Sequence, residues 1–380
     1  MSNTISEQVS DYYGKVLQSK NGLKTSACCL PGSMPKHLQA ILEDIADEIQ
    51  DKFYGCGSPI PPAIEGATIL DLGCGTGRDV YMLAKLVGPE GQVIGVDMTD
   101  EQLAVARKYE DEQAKRFGYQ KPNTCFVKGY IEDLSTADIA DNSVDVVISN
   151  CVINLSPRKE QVFKEIVRVL KPGGELYFSD VFADRRIPQE LKEDPVLYGE
   201  CLSGAMYTED FRRMLSKFGI HDFRMVKQSP ITLEDPEVIE KIGMVNFASI
   251  TVRAYKIALE DASEDYGQDA CYLGTIPYHE DIFSLDDDFV FPAGEPVPVC
   301  GNTADMILNS RLAEHFKISG DKSVHLGLFE FDDVEEGCCG EESSGCCGSH
   351  SHEESTGCCD SHAQTTKASS SGCCSGSDCC

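Results

Sequence analysis

Nowhere in the 380 residues is there an uninterrupted apolar run of about 18, the length a membrane-crossing helix needs. The opening stretch, residues 1–20, is polar and lacks the apolar core of a secretory signal. Positive charge is scarce, with 33 Lys and Arg against 63 Asp and Glu and a formal charge of −30. That balance argues against a nucleic-acid partner, which needs a basic surface for its phosphates, and against an anionic membrane surface. Solubility is what such acidity contributes. The reading is a monomer that meets a small molecule, with neither nucleic acid nor membrane as partner.

Cysteine, by contrast, is abundant, at 19 residues, and ten of them fall as adjacent pairs between Gly337 and Cys380. With no export signal, and a length and a 41% hydrophobic content that can fill a core without staples, the thiols are expected to be reduced, in the cytoplasm, and kept for chemistry. The 337–380 tail contains no Ile, Leu, Val, Phe, Met or Tyr and cannot bury enough apolar surface to fold alone. Its cysteines, with His350, His352 and His362, have a metallothionein-like composition. It is either a flexible collector of soft ions or a dispensable solvated extension.

Ahead of the tail the chain divides into an arm at 1–60, a main domain at 61–257 and a small region at 258–336. In the arm, Leu38, Ile41, Leu42, Ile45 and Ile49 recur at helical spacing and predict one helix over Pro35–Phe53; Pro59, Pro61 and Pro62 end it. Strands are then expected at Ala67–Leu72, Gln92–Met98, Thr124–Lys128, Asp145–Ser149 and Glu175–Phe182. Helices alternate with them at Arg78–Val87, Asp100–Phe117 and Arg158–Leu170. Thr99 and Gln102 form a capping-box signal for the second helix, and Lys171-Pro-Gly-Gly174 reads as a turn. Strand and helix alternating at this spacing predict an α/β fold, a doubly wound parallel sheet covered on both faces. A helical stretch at Asp210–Phe218 and strand-like runs at Phe223–Gln228 and Val245–Ile257 complete the far edge. The small region is rich in Asp, Phe and Pro, with one helix near Thr303–His315.

The run Ile69-Leu-Asp71-Leu-Gly73-Cys-Gly75-Thr-Gly77 ends a strand and opens a helix. Its glycines let the backbone turn and approach a ligand, beside the point where the strand order reverses. A dinucleotide loop would read G-x-G-x-x-G; this one is G-x-G-x-G behind Asp71, which suits a ligand with an ammonium group better than a pyrophosphate. S-adenosylmethionine has that ammonium and no phosphate. Asp97, ending the second strand, is placed to accept hydrogen bonds from two ribose hydroxyls, and Met98 to cover the adenine. Ile131 and Glu132 follow the third strand toward the adenine, Asn150 lies at the floor, and Tyr54 and Arg78 join the cofactor-binding set. Each glycine alone is an ordinary turn residue; the combination is not. Residues 67–182 resemble class I S-adenosylmethionine-dependent methyltransferases, and the resemblance implies a Rossmann-like seven-stranded sheet with one antiparallel strand.

For the acceptor, the strand ends offer no obvious His or Lys as general base, but a thiol, Cys151, directly after Asn150. Cys201, Cys56 and the Cys28-Cys29 pair also stand in suitable places, and thiolates select soft metals or metalloids. Their spacing lacks the Cys-x-x-Cys of a structural zinc site. Cys74, Cys125, Cys271 and Cys300 read as small hydrophobes or inert thiols. The segments Tyr54-Gly-Cys56-Gly-Ser-Pro-Ile-Pro61, Ser149-Asn-Cys151-Val-Ile-Asn154-Leu and Gly199-Glu-Cys201-Leu-Ser-Gly-Ala-Met-Tyr207 resemble arsenite S-adenosylmethionine methyltransferases. That resemblance implies arsenic held by Cys56, Cys151 and Cys201, and Cys28, preferred to Cys29, exchanging with Cys56 as a disulfide. It also implies glutathione or thioredoxin as reductant, mono- and dimethylated products, and no catalytic metal. A methyltransferase of a small organic substrate and a metalloid-sequestering thiol protein are the alternatives.

Overall fold

The computed structural model describes residues 34–53, 58–192, 197, 202–233 and 235–331. The hydrophobic strand runs pair into one mixed sheet. Its strands are β1 (Thr68–Leu72), β2 (Gln92–Asp97), β3 (Thr124–Lys128), β4 (Val144–Asn150), β5 (Leu170–Ala183), β7 (Phe223–Pro230) and β8 (Phe247–Tyr255). They lie in the order β3-β2-β1-β4-β5-β8-β7, and the two-residue β6 (Met206–Tyr207) pairs with the end of β5. Strands β1 to β5 are parallel, and β8 runs antiparallel to both of its neighbours. The seven-stranded sheet with one antiparallel strand is therefore present, with β6 as an addition.

Successive residues of a strand face opposite ways, and both faces of this sheet are apolar. In β1, Leu70 and Leu72 join a core with Val147, Phe163 and Phe178, while Ile69 joins a second core with Val80, Leu83 and Val146 on the other face. The helices α3 (Arg78–Val87), α4 (Asp100–Lys108), α5 (Glu110–Arg116), α6 (Lys159–Val169) and α8 (Thr208–Ser216) supply those layers; α7 (Gln189–Lys192) precedes α8, and α9 (Pro236–Ile242) follows it. Among the described residues no helix is long and apolar enough to cross a membrane.

Four expectations need correction. The single helix over 35–53 is two, α1 (Lys36–Glu43) and α2 (Asp47–Asp51); the Gln50 amide bridges the break, donating to the Leu42 and Ile45 carbonyls at 3.0 and 2.7 Å. The helix over 100–117 breaks at Tyr109, whose hydroxyl donates to Glu48 of α2 at 2.8 Å. Thr99 caps α4 without a side-chain hydrogen bond to the helix, because both its N–H and its hydroxyl bond Asp97. Lys171–Gly174, read as a turn, lies within β5 beside a register shift against β4.

After β8 the chain builds three small sheets: β13-β10-β14 (Pro296–Val299, Gln268–Tyr272, Phe316–Ser319), the hairpin β11–β12 (Ile282–Ser284, Val290–Pro292) and the pair β9–β15 (Glu264–Asp265, Gly327–Leu328). Tyr272, Phe283, Phe291 and Phe316 are at their centre. The helix expected at 303–315 is α10 (Gly301–Leu308) followed by a short 3-10 turn. These sheets are joined to the main sheet by charge: Glu175 of β5, fully buried, pairs with Arg253 of β8 at 2.5 Å and with Arg311 from beyond α10. Arg311 also donates to the carbonyls of Ala63 and Pro62 at 2.8 and 3.0 Å, and Arg253 to that of Leu285 at 2.7 Å.

Candidate active site

The carboxyl ends of β1, β2 and β4 open onto a cleft of about 1080 Å³, its mouth included. Asp71, Gly73, Gly75, Asp97, Met98, Ile131, Glu132, Asn150 and Cys151 all line it. Nine residues the sequence nominated thus meet in one place. Gly77 and Arg78 do not line it. Gly77 packs on the Phe126 ring, and the Arg78 guanidinium binds Asp79 at 2.6–2.8 Å and stacks over Phe53 at 3.1 Å. Tyr54, Cys28, Cys56 and Cys201, like the tail with its cysteines and histidines, lie outside the described residues.

Gly73 takes φ +73°, and a Cβ there would stand 2.4 Å from the Val152 side chain, so the glycine loop touches the loop that carries Cys151. Asp97 is aimed by backbone: Oδ2 accepts the Gly75 N–H at 2.9 Å and Oδ1 the Thr99 N–H at 2.8 Å. A carboxylate has about four acceptor positions; the Met98 N–H and the Thr99 hydroxyl take the others here, and that hydroxyl can rotate away to yield its place to a ligand hydroxyl. Asn150 donates to Asp79 at 2.9 Å, and Ser156 donates to Glu132 at 2.5 Å, tying the β4 and β3 loops together. The Thr76 hydroxyl of the glycine loop donates to the Ile49 carbonyl of α2 at 2.8 Å.

Burial, then the nearby Asp79 and Asp97, pushes the Asp71 carboxyl well above its ordinary range against the pull of Arg78. Burial also raises Asp97, opposed chiefly by the N–H groups of Thr99 and Gly75. Acids crowded in this way disfavour an anion, and a ligand that carries cationic groups would let them ionise together. The Cys74 thiol in the glycine loop is itself pushed far up by burial and by Asp97 and Asp71, which keeps it neutral and unreactive.

Cys151 follows β4 with φ +57°, left-handed backbone that a residue with a Cβ rarely adopts, and it is 4% exposed. It is engaged in a disulfide, whereas Cys74, Cys125, Cys271 and Cys300 are free. Cys125 is exposed, and Cys300 is a helix cap rather than a plain hydrophobe, accepting the Thr303 N–H at 3.4 Å and Arg224 at 3.6 Å. Sequence reasoning missed Phe53, Asp79, Gln102, Val152 and Ser156 as residues of the cleft or its walls. Asp79 had a signal, an acid in the first turn of the helix after the glycine loop. The others have none short of the folded loops.

This sheet order and this cleft define a class I S-adenosylmethionine-dependent methyltransferase. A family model described as a methyltransferase domain matches residues 64–219, and one described as the arsenite methyltransferase C-terminal domain matches 267–380. The arsenite methyltransferase of Aquipseudomonas alcaligenes is 51% identical over 325 residues, 85% of this chain and 93% of that protein. The human arsenite methyltransferase is 39% identical over 365 residues, 91% and 97% of the two chains. The crystal structure of an arsenic(III) S-adenosylmethionine methyltransferase from Chlamydomonas reinhardtii superposes with a TM-score of 0.76 at 50% identity, covering 78% of this chain and all of that one. The chain belongs to the arsenite methyltransferase family.

For S-adenosylmethionine the donor set fits: backbone-aimed Asp97 for ribose hydroxyls, Asp71 and Asp79 on the cationic side, and Ile131 and Met98 as apolar cover. Asp97→Ala removes a charge-assisted hydrogen bond worth about 1.5–3 kcal/mol, so S-adenosylmethionine affinity is expected to fall by roughly tenfold to a hundredfold. Equilibrium dialysis of the variant checks this, and a change under threefold contradicts the ribose assignment.

Proposed function

We propose that this chain methylates trivalent arsenic from S-adenosylmethionine, with Cys151 as one of the thiolates that hold the arsenic. The observation that carries the reading is the placement of Cys151 on the same cleft as Asp71, Gly75 and Asp97, where a thiolate can present a soft substrate to a methyl donor. When bound, S-adenosylmethionine supplies an electrophilic methyl group. Arsenic held by three thiolates is pyramidal and keeps a lone pair, so the protein needs no general base. Its tasks are position and charge. The glycine loop and Asp97 fix one reactant, and the Cys151 loop, pressed on Gly73 through Val152, fixes the other.

Cys56 and Cys201 complete the ligand set in this reading. Cys28 exchanges with Cys56 as a disulfide when electrons are needed, and glutathione or thioredoxin restores the thiols. The engagement of Cys151 in a disulfide supports the need for such a reductant, because only a free thiolate can ligate. The products are mono- and dimethylated arsenicals, made by a cytoplasmic monomer without a catalytic metal. The test is consumption of S-adenosylmethionine by purified protein with glutathione, with and without arsenite. Turnover only with arsenite is expected; turnover indifferent to arsenite would make the acceptor a small organic molecule instead.

A further inference from the structure

Behind the cleft wall, one buried pair joins β5 to the loop that carries Cys151. Asp180 of β5, wholly buried, accepts the Asn154 N–H at 3.1 Å, the Asn154 side-chain amide at 2.7 Å and the Val181 N–H at 2.8 Å. That amide also donates to the Val181 carbonyl at 2.6 Å, while its own oxygen meets no donor among the described residues. Its orientation is therefore set by β5. The Asn154 carbonyl accepts Lys159 at 3.0 Å, and Gly204 presses on it so closely that a Cβ at 204 would lie 2.2 Å from that oxygen. Asn154 follows Cys151 by three residues, and Gly204 follows Cys201 by three.

We infer that Asp180 and Asn154 are a positioning pair for the arsenic site, clamping the 151–156 loop to β5 and to the chain at Gly204 so that Cys151 stays aimed at its substrate. The inference rests on the arsenite reading above. Left-handed backbone at a cysteine costs about 1–3 kcal/mol and persists only where its surroundings over-determine it. Once its disulfide is reduced, three anchors among the described residues do so: the Cys151 N–H to the Ser179 carbonyl at 2.9 Å, Asn154 on Asp180, and Ser156 on Glu132. With the middle anchor gone, residue 151 relaxes toward ordinary φ and its sulfur turns away. Arsenic, which needs its thiolates together, loses affinity. The glycine loop and Asp97, held by their own hydrogen bonds, keep theirs.

The experiment measures the arsenite KM and the dissociation constant of S-adenosylmethionine for wild type, Asp180→Asn, Asn154→Ala, the double variant and Gly204→Ala. Each single change is expected to raise the arsenite KM at least about tenfold, with S-adenosylmethionine affinity within about threefold. The double should be little worse than the worse single, because residues acting as one unit are not additive. Gly204→Ala keeps both buried polar groups and pushes the junction from the other side; it carries the same expectation if Asp180→Asn does not fold. An unchanged arsenite KM, an additive double, or parallel loss of affinity for both substrates overturns the clamp. Wild type without arsenite-dependent turnover overturns instead the reading beneath it.

Discussion

Cys151→Ser is expected to lower arsenite-dependent consumption of S-adenosylmethionine at least ~100-fold while leaving S-adenosylmethionine affinity within about threefold. Serine has nearly the shape of cysteine, so packing against Val181, Leu202 and Phe247 survives. It accepts the same left-handed backbone no better and no worse. What it cannot do is ligate: a hydroxyl is a hard donor that stays protonated at neutral pH, and arsenic(III) prefers soft thiolate. The loss should appear in turnover rather than in cofactor binding, because the glycine loop and Asp97, the groups proposed to hold S-adenosylmethionine, lie at the β1 and β2 ends. Cys125→Ser is the matched control, a free exposed thiol on β3 away from the cleft, and it should behave as wild type. Residual activity above about a tenth in the Cys151 variant would remove Cys151 from the ligand set.

The second large effect concerns stability. Glu175→Ala takes away the carboxylate shared by Arg253 and Arg311 and leaves the Arg253 guanidinium, 1% exposed, without its counter-charge. Removing one partner of a buried ion pair costs about 3–5 kcal/mol, since the remaining charge keeps its desolvation penalty and loses its compensation. For a domain of this size that corresponds to a fall in thermal midpoint of several degrees, up to about 10 °C. Glu175→Gln, which keeps the shape and one acceptor, should cost less. Calorimetry of the two variants checks the order, and a shift below about 2 °C for Glu175→Ala would mean that the guanidinium groups find other acceptors.

The glycine loop, Asp97 and the strand boundaries around them were legible in the sequence because each is a local signal: a strand end, a turn residue, an acid at a fixed place. Helix α3 begins and ends where the pattern puts it, between Gly77 and Gly88. What the pattern missed depends on residues distant in the chain. The helix breaks at Asp44–Ala46 and Tyr109 follow from Gln50 and Glu48 offering partners that periodicity cannot weigh. The positive φ of Cys151 had no marker, because neither Gly nor Asn occupies the position. Glu175 and Arg253 sit within strand runs as charges that alternation assigns to solvent, yet they meet diagonally across adjacent strands, Glu175 opposite Tyr255 and Arg253 opposite Tyr177, and are buried. The small sheets after residue 258 were missed because strands of two to five residues among Asp and Pro carry too little period to detect.

The arginine–glutamate–arginine contact also bears on how such a protein can be divided. A gene cut after Tyr255 would yield every strand of the main sheet, yet it would strip Arg311 from Glu175 and the Leu285 carbonyl from Arg253. The same cut would take from Pro62 and Ala63 the side chain that binds their carbonyls. The catalytic half is thus not a cassette to be lifted out and fused elsewhere. Any shorter ancestor or designed minimal version must first make the newly bared edge polar, replacing the apolar side chains that the small sheets now cover and leaving the stranded charges to water.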